Sequence, residues 1–181
     1  MPSSQMTAPA LQALRNGKLT GNWTLDESRS EVRLRAKSMW GLAKVNGVFR
    51  QVTGTGTVSE GGDVTGTITV GAASIDTKNK KRDNHLRSAD FFEVSSYPDI
   101  TFAVDRIAAA GQEISVHGSL TARGKTRPLV IPAAVSSLDG GELWLDAEVT
   151  VNRGDFGMTW NQMGMASMDC AITVHAVFTR R

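Results

Sequence analysis

Residues 143–152 read LWLDAEVTVN, where Leu143, Leu145, Ala147, Val149 and Val151 alternate with Trp144, Asp146, Glu148, Thr150 and Asn152. A strand points successive side chains to opposite faces, so a period of two describes one buried face and one wet face. The same period extends through the chain on both sides. Val32, Leu34 and Ala36 alternate with Arg33, Arg35 and Lys37, and Val64, Ile68 and Val70 with Thr65, Thr67 and Thr69. Ile100, Phe102 and Val104 share a face, as do Ile114, Val116 and Leu120. The last run sets Ile172, Val174, Ala176 and Phe178 against Thr173, His175 and Thr179.

Short turn signals separate these runs: Gly61-Gly62-Asp63, Ala110-Gly111, Arg123-Gly124 and Asp139-Gly140-Gly141. Parallel neighbours would need long crossovers, so such close spacing means antiparallel hairpins in a meander. Many strands with one apolar face each must stack as a sandwich or close into a barrel, and closure alone removes exposed edges. Period alone does not choose between the two. Gly47, Gly54, Gly56, Gly66 and Gly118 fall inside the strand pattern, where they suit bulges and barrel corners. GTGTVSEGG (54–62) leads into a strand rather than a helix, so it is a hairpin and not a phosphate loop.

Two stretches break the period. Lys78 to Val94 reads as a helix with a kink around Ser88-Ala89-Asp90, and Phe91 and Phe92 at its end suit a plug for one barrel end. At the N-terminus a short helix is expected with Thr7 as cap, Pro9 in the first turn and Gly17 as stop. Leu11 and Leu14 form its apolar stripe, to pack outside the main fold or close one end of it. The chain thus divides into a helical extension, 1–20, and a β-domain, 21–181.

At 181 residues, 40% hydrophobic and 21% charged, the chain has the composition of one globular domain. Its net charge of +2 is dispersed, without the clustered basic footprint that nucleic-acid binding requires. No apolar run is long enough for a membrane-spanning helix. The N-terminus shows no secretory pattern and the lone Cys170 forms no internal disulfide, so the expected location is cytoplasmic. Three scattered histidines offer no metal spacing, and nucleophile-elbow and zincin motifs are missing.

Several segments in order carry a family resemblance: WTLDESRSEV (23–32), VNGVF (45–49), SIDTKNKKRDNHLRSADFFEV (74–94), YPDITF (97–102), GSLTARGKTRPLVI (118–131) and RGDFGM (153–158). The most specific piece is RD-x-HL-x-S-x-DFF followed by YP-x-I-x-F. The chain resembles the YceI family of polyisoprenoid-binding proteins. That resemblance implies an all-β fold, an extended antiparallel lipocalin-like barrel, with an elongated apolar cavity. It implies a partner that is a polyisoprenoid, an isoprenoid quinone or a similar long lipid, bound without catalysis and without a required cofactor. The alternatives are an enzyme using Asp83 and His85 as an acid–base pair beside an isoprenoid, and a stress-response partner with an empty barrel. Many relatives are periplasmic. A homodimer is left open.

For such a ligand the candidate contacts are Trp40, Phe91, Phe92, Ala147, Phe156, Trp160, Met163 and Met165. The last three lie in the uncharged, Met-rich segment 158–168, whose flexible thioethers suit an apolar mouth loop. Arg82, Asp83 and His85 have two readings: they orient a polar head group, or Arg82 and Asp83 pair to anchor the helical insertion. His117 and His175 are expected to be exposed.

Overall fold

The structure is a computed structural model, which describes residues 4–110, 113–138 and 141–181. Its eleven strands are β1 (Gly21–Leu25), β2 (Glu31–Ser38), β3 (Ala43–Phe49), β4 (Val52–Val58), β5 (Val64–Gly71), β6 (Ile75–Asp76), β7 (Asp99–Ala110), β8 (Glu113–Ala122), β9 (Lys125–Leu138), β10 (Glu142–Asn152) and β11 (Asp169–Arg180). The helices are α1 (Ser4–Arg15) and α2 (Lys80–Arg87).

Every pairing is antiparallel, and the circuit β1-β4-β5-β7-β8-β9-β10-β11 returns to β1 through Trp23↔Arg180 and Leu25↔Phe178. The sheet therefore closes as a barrel, not a sandwich. Strand β2 takes the other half of β11, from Cys170↔Ala36 to His175↔Glu31, while β3 pairs with β2 and β6 with β3. In effect three of eight long staves are each broken once: β1 with β2, β3 with β4, and β5 with β6. At the first break Asp26 accepts from the Ser28 N–H and hydroxyl and from Arg29 Nε, closing a turn mid-stave.

The alternation seen in the sequence sorts the faces as expected, with one register shift among the described residues, between Val104 and Arg106. This bulge at Asp105 carries Ile107 round to the inner face behind Val104. The shift passes from Val104↔Gly118 to Arg106↔His117, so Gly118 faces the bulge as expected of a strand glycine, whereas Gly47, Gly54, Gly56 and Gly66 lie in unshifted register. Two of them also serve close approach: a Cβ on Gly118 would sit 2.1 Å from the Ala103 carbonyl oxygen, and one on Gly66 2.6 Å from that of Thr55.

The two ends differ. At the lower end lie α1 and the β4–β5 hairpin; at the upper end lie the β2–β3 hairpin, α2, the Arg123-Gly124 turn and segment 153–168. Helix α1 closes the lower end, with Leu11 against Ile114, Val116, Ile131 and Ala147. Leu19, Trp23 and Val58 pack beside it, and Trp23 Nε1 donates to the Leu19 carbonyl at 2.9 Å. The helix stops at Gly17 as expected: Lys18 N donates to Ala13 O, Gly17 N to Leu14 O, and Gly17 has φ +73°. Its start differs. Ser4 is already helical, so Thr7 is not the cap and Pro9 lies inside the helix, not in its first turn. Burial of Ala10 and Leu11 just after Pro9 offsets the lost backbone bond.

The mid-chain helix is also shorter than the 78–94 expected. Asn79 caps it by accepting from Arg82 N, and it ends at Ser88, whose hydroxyl donates to His85 O. Beyond it Phe92 N returns to Leu86 O and Val94 N to Arg87 O, so the chain folds back on the helix end.

Candidate ligand-binding site

The inner faces of the staves enclose a cavity of about 460 Å³, within the range of small-molecule sites. It runs from Leu11, Leu14 and Leu19 below to His85, Arg153 and Trp160 above. On β11 alone it borders both Cys170 and Phe178, roughly 27 Å apart at about 3.4 Å per residue. The wall is mostly aliphatic and aromatic along the staves, with threonines on β4, β5 and β7, and no aspartate or glutamate lines it among the described residues. Between β4 and β5 the inward pair Gly56↔Gly66 contributes no side chain, which leaves width beside Trp23.

Of the residues expected to contact a ligand, Phe91, Phe92, Ala147, Phe156 and Trp160 border this cavity. Phe92 is buried edge-on against Phe49 at 5.9 Å, and Phe156 is buried beside it in the same cluster. Ala147 belongs to the lower cluster under α1. Trp40, Met163 and Met165 lie outside the lining, because left-handed φ at Trp40 and Met163 turns the tips outward while the bases of the same hairpin and loop border the cavity. Trp40 is 65% and Met163 78% exposed.

The ionisable trio separates. Asp83 is buried and accepts from Thr77 N and Thr77 Oγ1, at 3.0 and 2.5 Å. Arg82 donates from Nε to Thr77 Oγ1 and from Nη2 to Thr77 O. The helix is thus anchored, but through Thr77: Arg82 and Asp83 make no direct ion pair, since adjacent helical residues point apart. Asp83 and His85 do not pair either. His85 Nε2 lies 2.9 Å from Asp90 Oδ2, and its ring packs edge-on to Trp160 at 4.4 Å and Phe91 at 5.0 Å. Arg82 and His85 border the cavity, whereas Asp83 does not. Elsewhere His117 contacts Arg106, and His175 is half-buried 2.7 Å from Asp146.

Arg153 organises the upper end, and reading the sequence did not single it out. It is buried, donating from Nε to Ser167 O at 2.9 Å and from Nη1 to Met158 O at 2.6 Å and Trp160 O at 2.8 Å. Its guanidinium also lies 5.4 Å over the Phe91 ring. Burial pulls its pKa below the ordinary arginine value. The signal was the Arg of RGDFGM, but its partners come from a loop that only the closed fold brings back. Cys170, on the cavity wall, has its thiol pKa pushed up by burial.

A closed antiparallel barrel around an elongated apolar cavity is the architecture of the lipocalin-like class. Within that class the chain belongs to the YceI family, since the YceI-like domain model matches residues 23–178. Protein YceI of Salmonella arizonae is 30% identical over 142 residues, covering 74% of this chain and 73% of that protein. Among solved structures, Burkholderia cenocepacia BcnA superposes with a TM-score of 0.76 at 23% identity, over 84% of this chain and 98% of BcnA. A polyisoprenoid binding domain from Saccharophagus degradans gives 0.72 at 14% identity, over 88% of this chain and 98% of that one. These two likenesses are of fold.

Proposed function

We propose that the chain binds one long apolar ligand in the barrel, reversibly and without covalent chemistry, and so carries or sequesters it. The observation that supports this most is the cavity itself, mostly apolar along the staves and reaching from α1 to the His85–Trp160 rim. Such a surface gains affinity by removing a hydrocarbon chain from water, at about 25 cal/mol per Å². A polyisoprenoid, an isoprenoid quinone or a similar lipid has the matching shape, and the Saccharophagus degradans domain of the same fold is described as polyisoprenoid-binding. His85 and Arg82 border the cavity at its upper rim, which supports reading them as contacts of a polar head group.

The test is organic extraction of the purified protein with mass spectrometry, then incubation with polyprenols and isoprenoid quinones. One unaltered long-chain lipid per barrel is expected. His85→Ala should weaken binding by at most about tenfold, the worth of one polar contact. A preparation that neither carries nor takes up such lipids overturns the reading. So does a chemically changed product whose formation stops in His85→Ala.

A further inference from the structure

Leu42 is 85%, Met163 78%, Trp40 65% and Met39 53% exposed, and all four belong to two loops of the upper end. Met39, Trp40 and Leu42 form the tip between β2 and β3, while Met163 tops the short 3-10 turn Gln162–Gly164. The loops are joined: Trp40 N donates to Met165 O at 3.2 Å and Ser167 N to Lys37 O at 2.9 Å. Met39, Trp40 and Met163 have φ of +50°, +55° and +55°, a left-handed backbone costly for such side chains, which turns them outward and not down into the barrel. Exposed apolar residues gathered in this way mark a contact surface.

The surroundings indicate what covers it. Lys37 and Lys44 face each other across the hairpin below the tip. The segments 37–44 and 158–169 together hold these two lysines and a single acid, Asp169 at the foot of the loop. Apolar tips with tryptophan, flanked by lysines, match an anionic bilayer: the tips enter the acyl boundary, the indole sits at head-group level, and the ammonium groups stay with the phosphates. The position fits as well, because Lys37, Ser38, Trp160 and Ser167 of the same two loops border the cavity.

We propose that the β2–β3 tip and the Met163 turn dock on the surface of an anionic membrane, setting the barrel's upper end against the bilayer. For its purpose the inference rests on the ligand-binding reading, since a water-insoluble chain passes more readily from a bilayer than through water. Its test does not. The full chain is sedimented with phosphatidylcholine vesicles, with and without phosphatidylglycerol, at low and high salt.

Binding is expected to the anionic vesicles and to fall as salt rises, since salt screens the lysines. The double variant Met39→Asp/Leu42→Asp should bind at least about tenfold more weakly, and Lys44→Glu should reduce binding to the anionic vesicles. Both should keep the wild-type circular dichroism and the wild-type uptake of parinaric acid from solution. Failure of wild type to sediment with anionic vesicles overturns the proposal, as does equal binding by the folded double variant. If sedimentation velocity shows a wild-type dimer that the double variant dissolves, with no vesicle binding, the surface pairs two copies and the proposal falls. Loss of parinaric acid uptake in wild type would instead count against the ligand-binding reading and leave vesicle docking standing.

Discussion

The Thr77 hydroxyl donates to Asp83 Oδ1 at 2.5 Å while accepting from Arg82 Nε at 2.8 Å, so one threonine joins α2 to the barrel. Both Thr77 and Asp83 are buried, and Asp83 also takes the Thr77 backbone N–H. Asp83→Ala leaves that N–H without an acceptor, at a cost of about 1–3 kcal/mol. A lower denaturant midpoint is expected, with lipid uptake retained wherever the protein is folded. Asp83→Asn keeps one carbonyl acceptor and should lose less.

Arg153 makes a second junction, which no simple exchange reproduces. Its fork reaches the carbonyls of Ser167, Met158 and Trp160 at once, whereas a lysine offers its donors from one point. Arg153→Lys should therefore resemble Arg153→Met: faster proteolytic cleavage within residues 158–168 and a lower thermal midpoint. Wild-type protection in the lysine variant would show that charge alone holds the loop.

How far the sequence discloses this arrangement depends on the range of each interaction. The β10 and β11 faces are legible because burial follows local alternation, and Leu143 to Val151 line the cavity as that alternation implies. The Gly17 stop is equally local. The place of the bulge at Asp105 is not legible, because pairing with Gly118 and His117 on β8 decides it, and Gly118 marks only the facing strand. Nor is the break between β1 and β2, where the Asp26–Arg29 turn interrupts a stave that β11 keeps in line. The carbonyl cage of Arg153 and the outward tilt of Trp40 depend on loops that meet only after closure.

The inner face of β10 gives a direct test of the ligand path. Ala147 is buried on the cavity wall beside Leu11, so Ala147→Trp fills the space a chain would occupy and costs about 1–3 kcal/mol through overpacking. Its neighbour Glu148 is exposed, 2.8 Å from Arg35, and Glu148→Trp adds the same ring outside the barrel. Lipid uptake should be lost in the first variant and kept in the second. Uptake by both would place the ligand elsewhere.

Acid should loosen the mid-stave turn at Asp26. Hydrogen bonds from Ser28 and Arg29 lower its carboxyl from 3.8 to about 2. A folded-state pKa below the unfolded one means that the unfolded chain binds the extra proton first. The contribution is then complete above about pH 4 and is lost as pH falls towards 2. Glu31, Asp76 and Glu142 are shifted the same way, by Arg33, by the Lys78 N–H with Arg50, and by Arg29 with Trp144. Stability measured by urea should decline across this window, less steeply in Asp26→Asn. An equal slope in the variant would assign the acid sensitivity to other groups.

Cys170 reports on cavity occupancy without any substitution. It is buried on β11, opposite Ala36 and Val151, and it borders the cavity. Thiol reagents attack the thiolate, and burial raises the pKa, so little thiolate is present near neutral pH. A small apolar reagent such as methyl methanethiosulfonate should therefore modify the ligand-free protein slowly, and faster as pH rises. A chain filling the upper cavity removes the space the reagent needs and excludes the water that solvates the thiolate. Modification, followed by intact mass, should slow further in proportion to the fraction of barrel occupied. An unchanged rate with saturating lipid bound would mean that the ligand stops short of Cys170, confined to the lower half beneath Leu120 and Ile172.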